Sequence, residues 1–234
     1  MISNSSLYHL FAVGSGLFWL FTYIIVIWRG FQDKSFGMPV IALSANASWE
    51  AIYSFFYIPP SELLHYSSIV WLLFDIPILI QCFLYGAEDF KAPLIKNNFI
   101  PILGFSIFIS FWVLLCFVRE LNDVRGVYSG FGINLMMSTL YIGMFIRRGG
   151  NRGQSVYIAL FKALGTLCAF LSLFFPLPLA ETEVPVGLSI LLTRLLTEQI
   201  YPLTPLIKIL YFSIFILDIG YILLLSQKQL ENQI

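Results

Sequence analysis

Apolar residues run through this chain in blocks of about twenty, each closed by a short polar or turn-forming stretch. A helix needs roughly 20 apolar residues to cross about 30 Å of hydrocarbon. Blocks of that length lie near 7–28, 39–58, 67–86, 99–118, 127–146, 156–175 and 205–226. Between them stand RGFQDKSFG, PPSE, AEDFKAP, RELNDVRG and RRGGNRGQS. The pattern predicts an all-α, integral-membrane bundle of seven helices forming one domain over 1–234. A longer connection, Pro176 to Thr204, contains LSILLTRLLTEQI with Arg194 and Glu198 four residues apart. It is too charged for a span and predicts an interfacial or re-entrant helix over 187–201. The other loops are short, so consecutive helices should be neighbours, and no internal repeat suggests the paired halves of a transporter.

Composition supports the membrane reading over the whole length. Of 234 residues, 59% are hydrophobic and only 11% charged, with a mean hydropathy of +0.85. An ordinary soluble domain carries about twice that charged fraction. Basic and acidic residues balance at 13 each, which gives no sign of a nucleic-acid partner. Cys82, Cys116 and Cys168 sit inside apolar runs with no metal or disulfide spacing, so they read as packing residues. The first run ends in Trp28-Arg29 and lacks a basic leader, so it reads as a span rather than a signal peptide.

Basic residues set the expected orientation. Arg29, Lys34, Lys91, Lys96, Arg147, Arg148, Arg152 and Lys228 fall on one side; Arg119, Arg125 and Arg194 fall on the other, with Lys208 at the start of the last span. The richer side is expected in the cytosol, which puts the N-terminus outside or in a lumen and the C-terminus in the cytosol. The expected membrane is the endoplasmic reticulum in a eukaryote and the inner membrane in a bacterium.

Three carboxylates fall inside spans: Glu50, Asp75 and Asp218. A charge at the bilayer centre costs at least about 2.5–3.5 kcal/mol, so these acids should face the bundle interior. Burial also disfavours the charged form of a carboxyl group. Helical spacing puts Asn46, Glu50, Tyr53 and Tyr57 on one face of the second helix. Asn134, Ser138 and Tyr141 form a stripe on the fifth, Tyr211 and Tyr221 flank Asp218, and Trp71 lies one turn before Asp75. Such stripes also arise from plain helix-to-helix hydrogen bonding. Lys162 is a candidate structural partner for Asp218, whereas Glu50 has no basic residue at its depth.

Hydrolytic and metal-binding signatures are missing; His9 and His65 are the only histidines, and Glu88-Asp89 reads as a solvated loop pair. A retinal protein would carry a lysine mid-way along its last helix, and Lys208 stands at the start instead. What remains is carboxylic acids in a dry, aromatic-walled cavity. That combination suits acid-initiated chemistry on an apolar substrate: a neutral carboxyl donates the proton and aromatic faces stabilise the cation. The alternative is a small proton-coupled transporter or lipid-binding protein using the same acids as relays.

The segments GMPVIALSANASWEAIYSFFYIPP, VWLLFDI, YSGFGINLMMSTLYIGMFIRRGGNRGQSVYIALFKALGTL and FILDIGYILLL add a specific resemblance. In this order they resemble the integral-membrane terpene cyclases of fungal meroterpenoid and indole-diterpene pathways and related bacterial prenyl-indole cyclases. The resemblance implies two essential intramembrane acids, matching Glu50 and Asp218; Asp75, from its place inside a span, is a third candidate, as a supporting acid. The resemblance also implies protonation of an epoxide or terminal alkene on a prenylated, lipophilic small molecule, without metal or other cofactor. Asn46 and Trp49 would position the donor. Tyr53, Trp71, Asn134, Ser138, Tyr141, Tyr211 and Tyr221 would bind substrate or stabilise the cation.

Overall fold

The computed structural model describes residues 4–175 and 187–231. Among them the chain is helical, without strands, and five helices are long and apolar enough to cross a membrane. These are α1 (Asn4–Gln32), α3 (Glu62–Tyr85), α5 (Phe99–Glu120), α6 (Val127–Arg148) and α9 (Pro205–Glu231). Two other expected spans form shorter helices: α2 (Val40–Ala51), which runs on into a wide turn over Ile52–Phe56, and α7 (Val156–Ser172). A short α4 (Pro93–Asn97) precedes α5. The expected interfacial helix is α8 (Leu188–Thr197), and residues 176–186 of that connection lie outside the described residues.

The helix ends follow local chemistry. Ser61 and Ser155 cap α3 and α7 by accepting from Leu64 N and Ile158 N. Proline stands at the first position of α9. Gly149 ends α6 in the left-handed conformation, φ +66°. In the wide turn after α2, Tyr57 N–H donates five residues back to Ile52 O at 2.8 Å. This changes the periodicity that the sequence predicts beyond Ala51.

Packing closes a ring: α1 lies against α3 and α7, α3 against α2, α2 against α6, α6 against α9, and α9 against α7. The fifth helix packs outside it on α2. Large apolar side chains cover the outer faces, including Leu17, Phe21 and Ile24 on α1, Phe105 and Trp112 on α5, and Ile209, Ile216 and Leu223 on α9. These are the surfaces of an integral membrane protein, where lipid replaces water as the outer partner.

The end of the bundle rich in basic residues is tied by ionic contacts. Asp89 receives Arg147 and, at 3.0 Å, Arg148 Nε. Arg148 Nη1 also donates to Phe36 O at 3.1 Å and Arg152 O at 2.6 Å, and Gly153 N to Asp33 Oδ2 at 2.7 Å. The segment RRGGNRGQS is therefore a clamp joining three loops. Its Gln154 accepts from Tyr221 OH at 2.9 Å.

Candidate active site

Inside the ring lies a cavity of about 210 Å³, more than ten times the ~10–15 Å³ that one water needs. It is lined from α1, α2, α3, α6 and α7 and from the loop Pro59–Ser61. Along α1 its wall runs from Tyr8 to Tyr23, about 22 Å of helix rise; along α6 it runs from Val127 to Met137, about 15 Å. The cavity is thus an elongated slot. Its walls are apolar and aromatic, with Tyr8, Trp19, Trp49, Trp71 and Phe131 along it.

Glu50 is the only carboxylate on that wall among the described residues, and it is 1% exposed. Its Oε1 accepts from Tyr23 OH and from Asn46 Nδ2, the latter at 2.7 Å. The same Asn46 nitrogen lies 2.6 Å from Tyr23 O and 3.0 Å from Asp75 Oδ2. One oxygen of each acid, Glu50 Oε2 and Asp75 Oδ1, is buried without a donor from any other side chain among the described residues, and the two carboxyls lie within hydrogen-bond reach of each other. Three helices meet here: α1 brings Tyr23, α2 brings Asn46 and Glu50, and α3 brings Asp75. No lysine or arginine donates to either acid among the described residues.

The structure brings together only some of the residues that sequence spacing groups. Asn46, Trp49, Glu50, Trp71 and Asn134 line the cavity; Asp75 stands behind Asn46. Tyr53 does not join the acids: it packs on Trp49 with ring centroids 4.7 Å apart and donates to the Asp123 carbonyl. Tyr57, beyond the wide turn, donates to Asn122 Oδ1 at 2.9 Å. Tyr141 stacks on Tyr221 at 5.4 Å and Tyr211 on Phe170 at 3.8 Å, all outside the cavity wall.

Asp218 also departs from the expectation of a cavity-facing acid. Its oxygens take Lys162 Nζ at 2.8 and 2.9 Å, and Oδ1 also takes Ser138 Oγ at 2.8 Å. Both members of the ion pair are buried. The reason is depth: Asp218 on α9 and Lys162 on α7 meet at one level, with Ser138 of α6 between them. This knot stands behind the cavity wall, where Asn134 Nδ2 donates to Thr166 Oγ1 at 2.7 Å.

The contribution of α1 is absent from the sequence-based expectations, although its signal is present. Tyr8, Ala12, Ser15, Trp19 and Tyr23 recur at spacings of four, three, four and four, one stripe of a helix. At the other end, Asp123 fixes the start of α6. Its carboxylate accepts from the N–H groups of Val127, Tyr128 and Ser129 and from Ser129 Oγ. Ser129 Oγ in turn accepts from Trp49 Nε1 at 2.8 Å. Burial and the Asp123 carboxylate push the nearby Tyr201 phenol up from its ordinary pKa. Among the described residues, no group of three or more His, Cys, Asp or Glu side chains gathers to hold a metal.

The model of the Pyr4-like transmembrane terpene cyclases matches residues 2–204, which carry Glu50 and Asp75 and stop short of Asp218. Asnovolin H synthase nvfL of Aspergillus novofumigatus is 30% identical over 152 residues, 64% of this chain and 62% of that protein. Terpene cyclase olcD of Penicillium canescens is 28% identical over 161 residues, 67% of this chain and 65% of that one. Pyr4-family terpene cyclase mfmH of Annulohypoxylon moriforme is 30% identical over 187 residues, 75% and 76% of the two chains. The chain thus spans just under two thirds of the length of the first two relatives and about three quarters of the third. No solved structure matches it.

Proposed function

The chain belongs to the Pyr4-like transmembrane terpene cyclases, and on that premise we propose that it protonates an epoxide or terminal alkene of a prenylated substrate and guides the ensuing cationic ring closure. The observation that carries this reading is Glu50, the one carboxyl on the cavity wall among the described residues, with Oε1 held by two donors. Glu50 and Asp75 meet at one amide nitrogen with no counter-cation among the described residues, and two buried anions there would be strongly unfavourable. The pair therefore holds a proton.

That proton is shared by the two carboxyls, and Glu50, the one of the pair on the cavity wall, delivers it. Transferred to an epoxide oxygen, it breaks a C–O bond and leaves a carbocation; transferred to a terminal alkene carbon, it leaves the cation directly. The electron pair of the next alkene then closes a C–C bond and moves the positive charge along the chain. The faces of Trp19, Trp49, Trp71 and Phe131 stabilise that charge, and the apolar wall keeps water from capturing it. Loss of a proton from a carbon beside the last cation ends the sequence, and a proton returned to the acid pair restores the enzyme. No step calls on a metal or cofactor.

Asp75 serves as the supporting acid through Asn46. Asp218 acts at a distance, with Lys162 and Ser138, by holding α6, α7 and α9 behind Asn134 and Thr166. The clamp rich in Arg and Lys faces the cytosol, so the N-terminus and the Arg125 end of the cavity face the lumen of the endoplasmic reticulum in a eukaryotic host. The test is turnover of an epoxidised, farnesylated hydroxybenzoate in open membrane fragments, where no gradient can drive transport. Glu50→Gln keeps the shape and loses the proton, so product formation should fall about 10²–10⁴-fold. Undiminished product at equal expression overturns the reading.

A further inference from the structure

The cavity has a second polar place. Where Pro59, Pro60 and Ser61 meet the start of α6, the wall includes Arg125. A guanidinium is always charged and offers five donors, so on a mainly apolar wall it calls for oxygen acceptors. Among the described residues it has none. The ion pairs use Arg29, Lys96, Arg147, Arg148, Lys162, Arg194 and Lys228. The acid nearest in sequence, Asp123, is fully buried and commits both oxygens to Val127, Tyr128 and Ser129. Beyond these donors its carboxylate lies 3.4 Å from Tyr201 OH.

The slot is therefore amphiphilic end to end: an acid at Glu50, aromatic and aliphatic walls, and at Arg125 a cation without an ion-pair partner among the described residues. We propose that Arg125 anchors the polar head of the substrate, donating to a carboxylate, ester or phenolate oxygen, while the prenyl tail extends along the aromatic wall towards Glu50. The head should therefore present an acceptor oxygen at Arg125, anionic oxygen being the best match for the fork of a guanidinium. Arg125 then sets which carbon of the tail lies at Glu50, because head and reacting end are held at two fixed points. This rests on the cyclase reading for the identity of the tail, and it can fail separately.

Two probes with one tail separate the cases: a farnesylated hydroxybenzoic acid, which has the head, and farnesylbenzene, which lacks it. Binding to the detergent-solubilised protein is followed by quenching of tryptophan fluorescence, since Trp19, Trp49 and Trp71 all line the cavity. Wild type should bind the acid about ten-fold or more tightly than farnesylbenzene, the scale of hydrogen bonds to a charged group. Arg125→Gln should remove that preference and leave farnesylbenzene binding unchanged; Arg125→Lys should keep part of it. An unchanged preference in Arg125→Gln, or an equal loss for both probes, overturns the proposal. Glu50→Gln in the same assay should keep the preference for the acid over farnesylbenzene. A failure of the acid chemistry shows in turnover by that variant, and a failure of the head-group site shows only in the ratio for Arg125.

Discussion

Tyr23 donates its phenolic proton to Glu50 Oε1, joining the first helix to the second at the inner part of the cavity. With Asn46 donating to the same oxygen, the carboxyl is held in one orientation. Tyr23→Phe keeps the ring and removes this donor. Turnover should fall roughly 10-fold or more while KM changes little, because the loss lies in aiming the acid rather than in binding. Steady-state kinetics on membrane fragments would check this. Unchanged turnover would detach Tyr23 from the chemistry.

The Lys162–Asp218 pair makes a different prediction. Asp218→Asn leaves a buried ammonium without its counter-charge, which costs about 3–5 kcal/mol. Folded protein should decline sharply, and activity with it. Replacing both partners, Lys162→Met with Asp218→Leu, should restore much of the folded yield and part of the turnover. Fluorescence-detected size-exclusion chromatography and product analysis measure the two separately. A well-folded double variant with no turnover would return Asp218 to a direct chemical role.

Gly126 has φ +64°, and a Cβ built there would stand 2.5 Å from Cζ2 of Trp49. Gly126→Ala therefore combines about 1–2 kcal/mol of left-handed backbone strain with displacement of a cavity-wall tryptophan. Thermal stability should drop, and the ratio of cyclised to prematurely quenched products should fall, as read by chromatography of the product mixture.

At the far end, Asp89→Asn weakens the clamp of Arg147 and Arg148. Arg148 is nearly buried, so roughly 3 kcal/mol of stability is at stake. A lower melting temperature with an unaltered product distribution is expected, because no clamp residue touches the cavity.

Legibility of the site varied with how far apart its residues lie in sequence. Asn46 and Glu50 are one helical turn apart, so any helix puts them together, and the bond between them is a local consequence. Tyr23 lies 27 residues from Glu50 on another helix, and nothing in one apolar run says which neighbour it meets. Tyr53 departs from its expected place for a local reason: the turn after Ala51 is wide and anchored to Asp123, so a constant 3.6-residue period misassigns the residues beyond Ala51.

Apolar block length, the low charged fraction and the Asn46–Glu50 spacing are properties of the chain alone, since bilayer thickness and helical rise translate them directly into membrane helices with an acid on one face. Which acid meets the cavity was decided only by tertiary structure. Glu50, Asp75 and Asp218 look alike as intramembrane carboxyls, yet packing gives Asp218 a lysine, puts Asp75 behind Asn46 and leaves Glu50 on the wall. The reason is physical: helix-to-helix depth and rotation are set by contacts between distant segments, and a buried charge is matched or left unmatched by those contacts alone.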